Sequence, residues 1–450
     1  MNVTRPLVSL LALLLSLSPA GCRKEQTPLG QAEAERLGQL PGLRQTAHPG
    51  LKAEMLRLLE EAGTPAQLTE LGLAHRGAVA QALTQLSPRS KLSLLRNETE
   101  KLFPAEAFQF SPARLHDAVQ FCRKYEETCR KLVQVRDAQL AGEPSPADAG
   151  ATGTRASLGL RMTAGYAADM APVDAVRVLN RIEAFRVADA LAGHDLPTAV
   201  QCVRSMFRWS QCLDAEKHPV PRLEAALMRG EALTALRAVV EHPQTSPEQI
   251  ELLLAVLEGT LAAWPPDAHA WIGERALGTF IYELVRSGQP INWLSPEERR
   301  RLGGQQDPQE VLDRARRTID DDELYYLQAM RAVIAACDKP YYQRASLFQE
   351  IRSDLRRREE TFDYPWIAGR LLLLDVEKGH LAQARDRANC EMWAIALREH
   401  RGRTPTQLGN NPVSGKPYQL DHRPGQIIVR NAGSDDGNPE ALIVKRIAPK

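Results

Sequence analysis

Aromatic side chains make up only 5% of the 450 residues, and the formal charge is +1. That balance lacks the positive excess by which strong nucleic-acid binders hold phosphate. The most basic stretch, Arg352 to Glu360, is interrupted by Asp354, Glu359 and Glu360 and reads as a solvated helix face. No apolar run approaches the roughly 20 residues of a bilayer-spanning helix. The glycine-rich nucleotide loops, the HExxH zinc helix, the GxSxG elbow and an SxxK nucleophile in context are all missing. Histidines are scattered: His75, His116, His194 and His269 each stand alone among helical residues, the pattern of packed or surface imidazoles.

What is present begins with an export signal. Arg5 precedes an apolar run from Leu7 to Leu17, and small residues follow, in the order of a secretory leader. Ala20-Gly21-Cys22 resembles a bacterial lipobox, with Pro19 where an aliphatic residue is usual. Residues 1–22 are therefore expected to be a signal peptide that ends at a lipidated Cys22. The alternative is soluble secretion after Ala20. The lipid anchor implies a membrane-bound protein of the bacterial envelope, facing the periplasm from the outer membrane. Removing residues 1–21 takes away Arg5 and no acid, so electrostatic capture by an anionic membrane is not implied.

Ala, Leu, Arg, Glu and Gln dominate the rest, a composition that favours helix. Residues 23–50 read as a polar tether, 51–140 as an N-terminal helical region, 141–157 as a Gly/Pro/Ala/Ser-rich loop, 158–400 as the main helical domain and 401–450 as a β-tail. Four stretches announce helix starts: Thr64-Pro65-Ala66-Gln67, Ser246-Pro247-Glu248-Gln249, Ser295-Pro296-Glu297-Glu298 and Asp307-Pro308-Gln309-Glu310. In each, a side-chain oxygen caps an orphan N–H, Pro sits where its missing N–H is harmless, and an acid or amide reaches back. Helical hairpins such as Arg222–Val240 followed by Pro247–Ala263 recur without a fixed period. The expected fold is mainly α, an irregular helical bundle or short α-solenoid of helical hairpins with a small C-terminal antiparallel β-element. Its last helix, from about Leu381 to His400, presents Ala384, Ala388, Met392, Ile395 and Ala396 on one face. Strands are expected at Lys416–Asp421, Gln426–Asn431 and Ala441–Ile447, with a turn at Arg423-Pro424-Gly425. Tyr418, Leu420, Ile427 and Val429 are the residues expected to meet that helix.

Six cysteines follow Cys22, an even number that suggests disulfides in an exported chain. On one continuous helix, Cys122 and Cys129 would stand about 10.5 Å apart, beyond the reach of a bridge. Pairing of Cys122 or Cys129 with Cys202 or Cys212 across antiparallel helices is preferred, with buried free thiols as the alternative. Trp271-Ile272-Gly273-Glu274-Arg275-Ala276 sets an acid beside a base and reads as a structural Glu–Arg contact. The acids from Asp320 complement a helix N-terminus. Ser434, Asp435, Asp436 and Asn438 surround Gly437 in a turn whose oxygens suit calcium, the one candidate cofactor. The plain alternative is a polar turn.

The helix end "ALREHRGRTPTQL", then "NPVSGKPYQL", then "IIVRNAGSDDG" resembles the C-terminal half of type II secretion major pseudopilins. The same tail closes a group of helical, exported bacterial proteins, and this chain resembles that group over residues 200–450. Asn411 stands where the family has Asp, and Thr404-Pro405 stands for Tyr-Pro. The pseudopilin methylation signal and hydrophobic stem are missing, so the resemblance implies compartment and architecture rather than pilus assembly. It also implies a calcium role for Asp435 and Asp436. The expected function is that of a non-enzymatic envelope lipoprotein, a helical scaffold or interaction module for a protein partner, with no nucleic acid. The alternative is an exported hydrolase with a site assembled from dispersed residues.

Overall fold

The computed structural model describes residue 99 and residues 112–130, 171–214, 216, 219–286, 288, 294–361, 363–403, 407–431 and 441–445. Its helices are α1 Pro112–Lys124, α2 Ala171–Ala192, α3 Leu196–Asp214, α4 Pro219–Val240, α5 Pro247–Ala262, α6 Ala268–Arg286, α7 Pro296–Gly303, α8 Pro308–Arg317, α9 Ile319–Ala336, α10 Tyr341–Glu360 and α11 Val376–His400. A short π-helix, Ala368–Leu372, precedes α11. Strands β1 Tyr418–Arg423, β2 Gln426–Asn431 and β3 Ala441–Lys445 form an antiparallel sheet in that order. The mainly helical fold with a C-terminal β-element is as the sequence predicts.

Local chemistry sets the element boundaries. Ser246 and Ser295 each cap an N3 backbone N–H while Gln249 and Glu298 return the bond to the cap residue. Asp307 caps the Gln309 N–H at 2.9 Å. The Thr64 box lies outside the described residues. Helix α11 begins at Val376, earlier than the pattern of apolar residues suggests, and its expected face is buried from Ala384 to Ala396. Strand β2 matches its expected span, whereas β1 is displaced towards Arg423. Gly425 at φ 70° after Pro424 supplies the pair that a tight type II turn requires, so Arg423 faces Gln426 across the hairpin.

The apolar residues gather in two clusters. One joins α1 to α5, the C-terminal half of α11 and the inner face of the sheet, including Tyr418, Ile427, Val429, Leu442 and Val444. The other joins α6 to α10 with Ile367 through Val376. Helix α11 belongs to both: Val376 lies in the second cluster, and Cys390 to Leu397 in the first. Two glycines permit close crossings. A Cβ on Gly278 would strike the Tyr326 hydroxyl, and one on Gly379 would strike the Trp271 ring. Gly259 on α5 faces open space.

Gly259→Ala is expected to raise stability by about 0.5–1 kcal/mol through reduced backbone entropy of the unfolded chain. Gly278→Ala is expected to lower it by about 1–3 kcal/mol through overpacking. Urea unfolding of the two variants checks both signs.

Candidate functional site

Between the two apolar clusters lies a seam of buried charge. Its centre is Arg229 on α4, fully buried. Its Nη1 donates to Asp214 Oδ2 on α3 at 2.5 Å, its Nη2 to Asp386 Oδ2 on α11 at 2.6 Å, and its Nε to both Asp386 oxygens at 3.0 Å. Arg222, two turns earlier on α4, also binds Asp214 and reaches Asp267 at 3.7 Å. Asp267 accepts from Arg344 Nη2 on α10 at 2.8 Å, and Arg344 Nη1 meets His380 Nδ1 on α11 at 3.0 Å. His380 stacks on Trp271, with centroids 4.2 Å apart, and Trp271 Nε1 donates to Gln383 at 2.9 Å. Trp264 offers its ring to both Arg222 and Arg229 at about 5 Å.

The charges in this seam balance: Arg222, Arg229 and Arg344 face Asp214, Asp267 and Asp386. Burial pushes the Asp214 carboxyl up, but Arg229 and Arg222 outweigh it and hold it below its ordinary value. Burial likewise opposes the charge on Arg229, and Asp214 with Asp386 more than restores it. His380 is driven well down, first by burial and then by the Arg344 cation, so the imidazole is neutral. Its Nδ1 accordingly accepts from Arg344.

A second polar layer joins α2 to α4. Arg177 Nε stands 3.0 Å from Glu224, and Asn180 Nδ2 donates to Glu231 at 2.6 Å, with Arg181 at 3.5 Å from the same carboxylate. Burial pushes Glu224 up to about 7, with Arg177 offsetting only part of the effect and Glu231 adding to it. Burial alone raises Glu274 to about 7. The expected Glu274–Arg275 contact is thus not made, because adjacent residues on a helix point to different sides. Asp322 is raised to about 6 by burial, although it accepts from Ile367 N, Ala368 N and the Tyr282 hydroxyl. Asp322 therefore caps the π-helix start rather than serving only its own helix.

The cysteines expected to pair are placed as follows. Cys122 and Cys129 influence each other directly: the neighbouring thiol, with burial, pushes Cys122 up, while Cys122 pulls Cys129 down. The helical bonds Tyr125 N to Phe121 O and Cys129 N to Tyr125 O continue between them, each 3.0 Å long. Arg186 of α2 lies beside this pair and beside Cys202. Cys212 sits elsewhere, among Arg208, Glu216 and Asp214. Cys122, Cys129 and Cys212 are thiols in this structure. Cys22 and the turn Ser434, Asp435, Asp436 and Asn438 lie outside the described residues. Among the described residues, no group of three or more His, Cys, Asp or Glu side chains is placed to hold a metal.

One cleft, of about 230 Å³, opens where α4, α11 and β3 meet. Gly230, Leu233 and Thr234 line it from α4, Asn389, Met392 and Trp393 from α11, and Leu442 from β3. Arg237 completes the lining, its guanidinium 5.2 Å above the Trp393 ring and its Nη1 2.6 Å from Ile443 O. Nothing in the sequence marks this site, because its α4 wall lies more than 150 residues before the α11 and β3 walls in the chain. The chain matches no known protein family, no curated protein and no solved structure.

The raised carboxyls fix a pH dependence. Glu224, Glu274 and Asp322 would ionise near 4 in the unfolded chain but keep their protons to about 6 or 7 when folded. At these three groups the folded state binds more protons across that window, and neutral His380 opposes them by one proton below about 6.5, so stability falls on balance as pH rises from about 4.5 to 7. Urea midpoints are expected to decline over this range, and Glu274→Gln is expected to flatten the decline. An unchanged slope in Glu274→Gln would show that this carboxyl is already ionised at pH 5.

Proposed function

We propose that the protein is an exported helical scaffold of the bacterial envelope, held to the membrane by a lipid on Cys22, which presents the cleft between α4, α11 and β3 to a protein partner. The observation that carries this reading is the cleft's position. Two of its three walls, α4 and α11, are tied directly to each other by Arg229 and Asp386. The third wall, β3, is fastened to the same helices by Arg237 on Ile443 O and by His400 on Lys445 O at 3.1 Å. A recess on so fixed a frame suits recognition, in which preorganisation lowers the entropic cost of binding.

The leader-like start and Ala20-Gly21-Cys22 support placement in the envelope, facing the periplasm from the outer membrane. Among the described residues no helix is long and apolar enough to cross a membrane. The pseudopilin-like tail belongs to this proposal as a structural cap. Calcium at Ser434, Asp435, Asp436 and Asn438 would stabilise that cap, since in sequence these residues join β2 to β3.

Two measurements test the reading. Intact-mass analysis of protein isolated from its native envelope is expected to show an acylated N-terminus at Cys22. An unmodified chain starting at Gly21 overturns the anchor. A photo-crosslinking side chain in place of Asn389 is expected to give a discrete protein adduct in intact cells. The same group in place of Arg356, on the exposed face of α10, is expected to give none. Equal labelling from both positions, or none from Asn389 in folded protein, overturns the binding role.

A further inference from the structure

The guanidinium of Arg237 is only partly used. Its Nη1 is committed to Ile443 O at 2.6 Å and more loosely to Glu241 at 3.4 Å. Its Nε and Nη2 have no hydrogen bond among the described residues, and its side chain is 41% exposed. The Asn389 amide, which lines the same cleft, likewise makes no hydrogen bond among the described residues. Thr234 spends its proton on Gly230 O at 3.0 Å and keeps its oxygen as an acceptor. The remaining lining is apolar: Leu233, Met392 and Leu442, with open space above Gly230.

This juxtaposition calls for an anion beside an apolar group. Arg presents its N–H groups as a planar fork that matches the paired oxygens of a carboxylate or a phosphate, and the small, largely apolar lining favours the carboxylate. Stacking on Trp393 and the bond to Ile443 O hold the fork still before any ligand arrives, so little rotamer entropy is lost on binding. The Asn389 N–H groups add a second donor for the same anion. The apolar lining asks for a hydrocarbon group attached close to that carboxylate. At about 230 Å³ the cleft is smaller than the roughly 300–1,000 Å³ of pockets that enclose whole cofactors or drug-sized molecules. It accommodates one side chain and the group beside it.

We infer that the cleft receives the free C-terminus of a partner polypeptide: Arg237 and Asn389 hold the terminal carboxylate, and an aliphatic or aromatic last side chain enters the space over Gly230 between Leu233, Met392 and Leu442. Capture of a chain-terminal carboxylate is a recurrent mode of peptide recognition. The inference rests on the interaction role proposed above and names the chemistry of the partner. An internal Asp or Glu would bring a carboxylate without an apolar side chain on the same Cα, and other internal residues would present only a neutral carbonyl to Arg237.

The test uses the full processed chain, immobilised, and a pool of pentapeptides with four randomised positions followed by Leu, Val or Phe. One pool ends in a free carboxylate, the other in an amide, and retained peptides are counted by mass spectrometry. The acid pool is expected to be retained at least tenfold more than the amide pool, and the difference is expected to shrink with salt. Arg237→Gln is expected to bring the acid pool down to the amide level. Gly230→Trp, which fills the open space from outside the ion pairs, is expected to abolish retention of both, and circular dichroism checks that each variant is folded. Equal retention of acid and amide pools, or retention that survives Gly230→Trp, overturns the inference. So does N-acetylleucine that competes at the concentration of the best peptide, which would assign the site to a small carboxylate. If Asn389 crosslinks to a partner while acid and amide pools bind alike, the interaction role stands and the terminal carboxylate falls.

Discussion

The fold hangs on the pairing of Arg229 with Asp214 and Asp386. A guanidinium with no exposed surface is tolerable only where carboxylates restore what water supplied, because an unpaired buried ion costs several kcal/mol even after relaxation. Arg229 meets that demand with one carboxylate from α3 and one from α11, and its own helix supplies Arg222 to complete the charge on Asp214. None of the three helices can shift relative to the others without stranding a charge. Apolar packing is non-directional and sets no such register. The seam therefore specifies how the helices sit, while the two apolar clusters supply most of the driving force.

Helix α11 carries this constraint along the molecule. Its buried residues change character along its length: Val376 packs in one apolar cluster, His380, Gln383 and Asp386 face the polar seam, and Cys390 to Leu397 pack in the other. Spacings of three along a helix keep these three polar groups near one face. The β-cap then packs on the last turns, where Tyr418 donates to Glu391 at 2.9 Å and Ile427 and Val429 are buried. Arg237 and His400 bind the backbone carbonyls of Ile443 and Lys445, which occupies groups that would otherwise invite another strand. The cleft arises at this joint because Gly230 withholds a side chain where α4, α11 and β3 come together.

Much of the scaffold was legible in the sequence because local chemistry decides it. Capping boxes at Ser246 and Ser295, the turn at Pro424-Gly425 and the alternation of Ile427 and Val429 depend on residues within a few positions of one another. The exposed, acid-laced face of α10 around Arg356 and Arg357 was legible for the same reason. The seam was not. Arg229 and Asp386 are 157 residues apart, and in a chain with 57 basic and 56 acidic residues nothing singles them out. Adjacency misled at Glu274-Arg275, where neighbours in sequence diverge on the helix. The cleft was invisible because it depends on a missing side chain at Gly230 and on the position of β3.

The most direct measurement of the central claim is equilibrium urea unfolding of Arg229→Met. The substitution keeps length and apolar packing but leaves Asp386 buried without its cation. A loss of about 3–5 kcal/mol is expected, with much of it recovered when Asp386→Leu is added, since removing both charges leaves no orphan. An Arg229→Met protein within about 1 kcal/mol of wild type, or one made still less stable by the second change, would contradict the account.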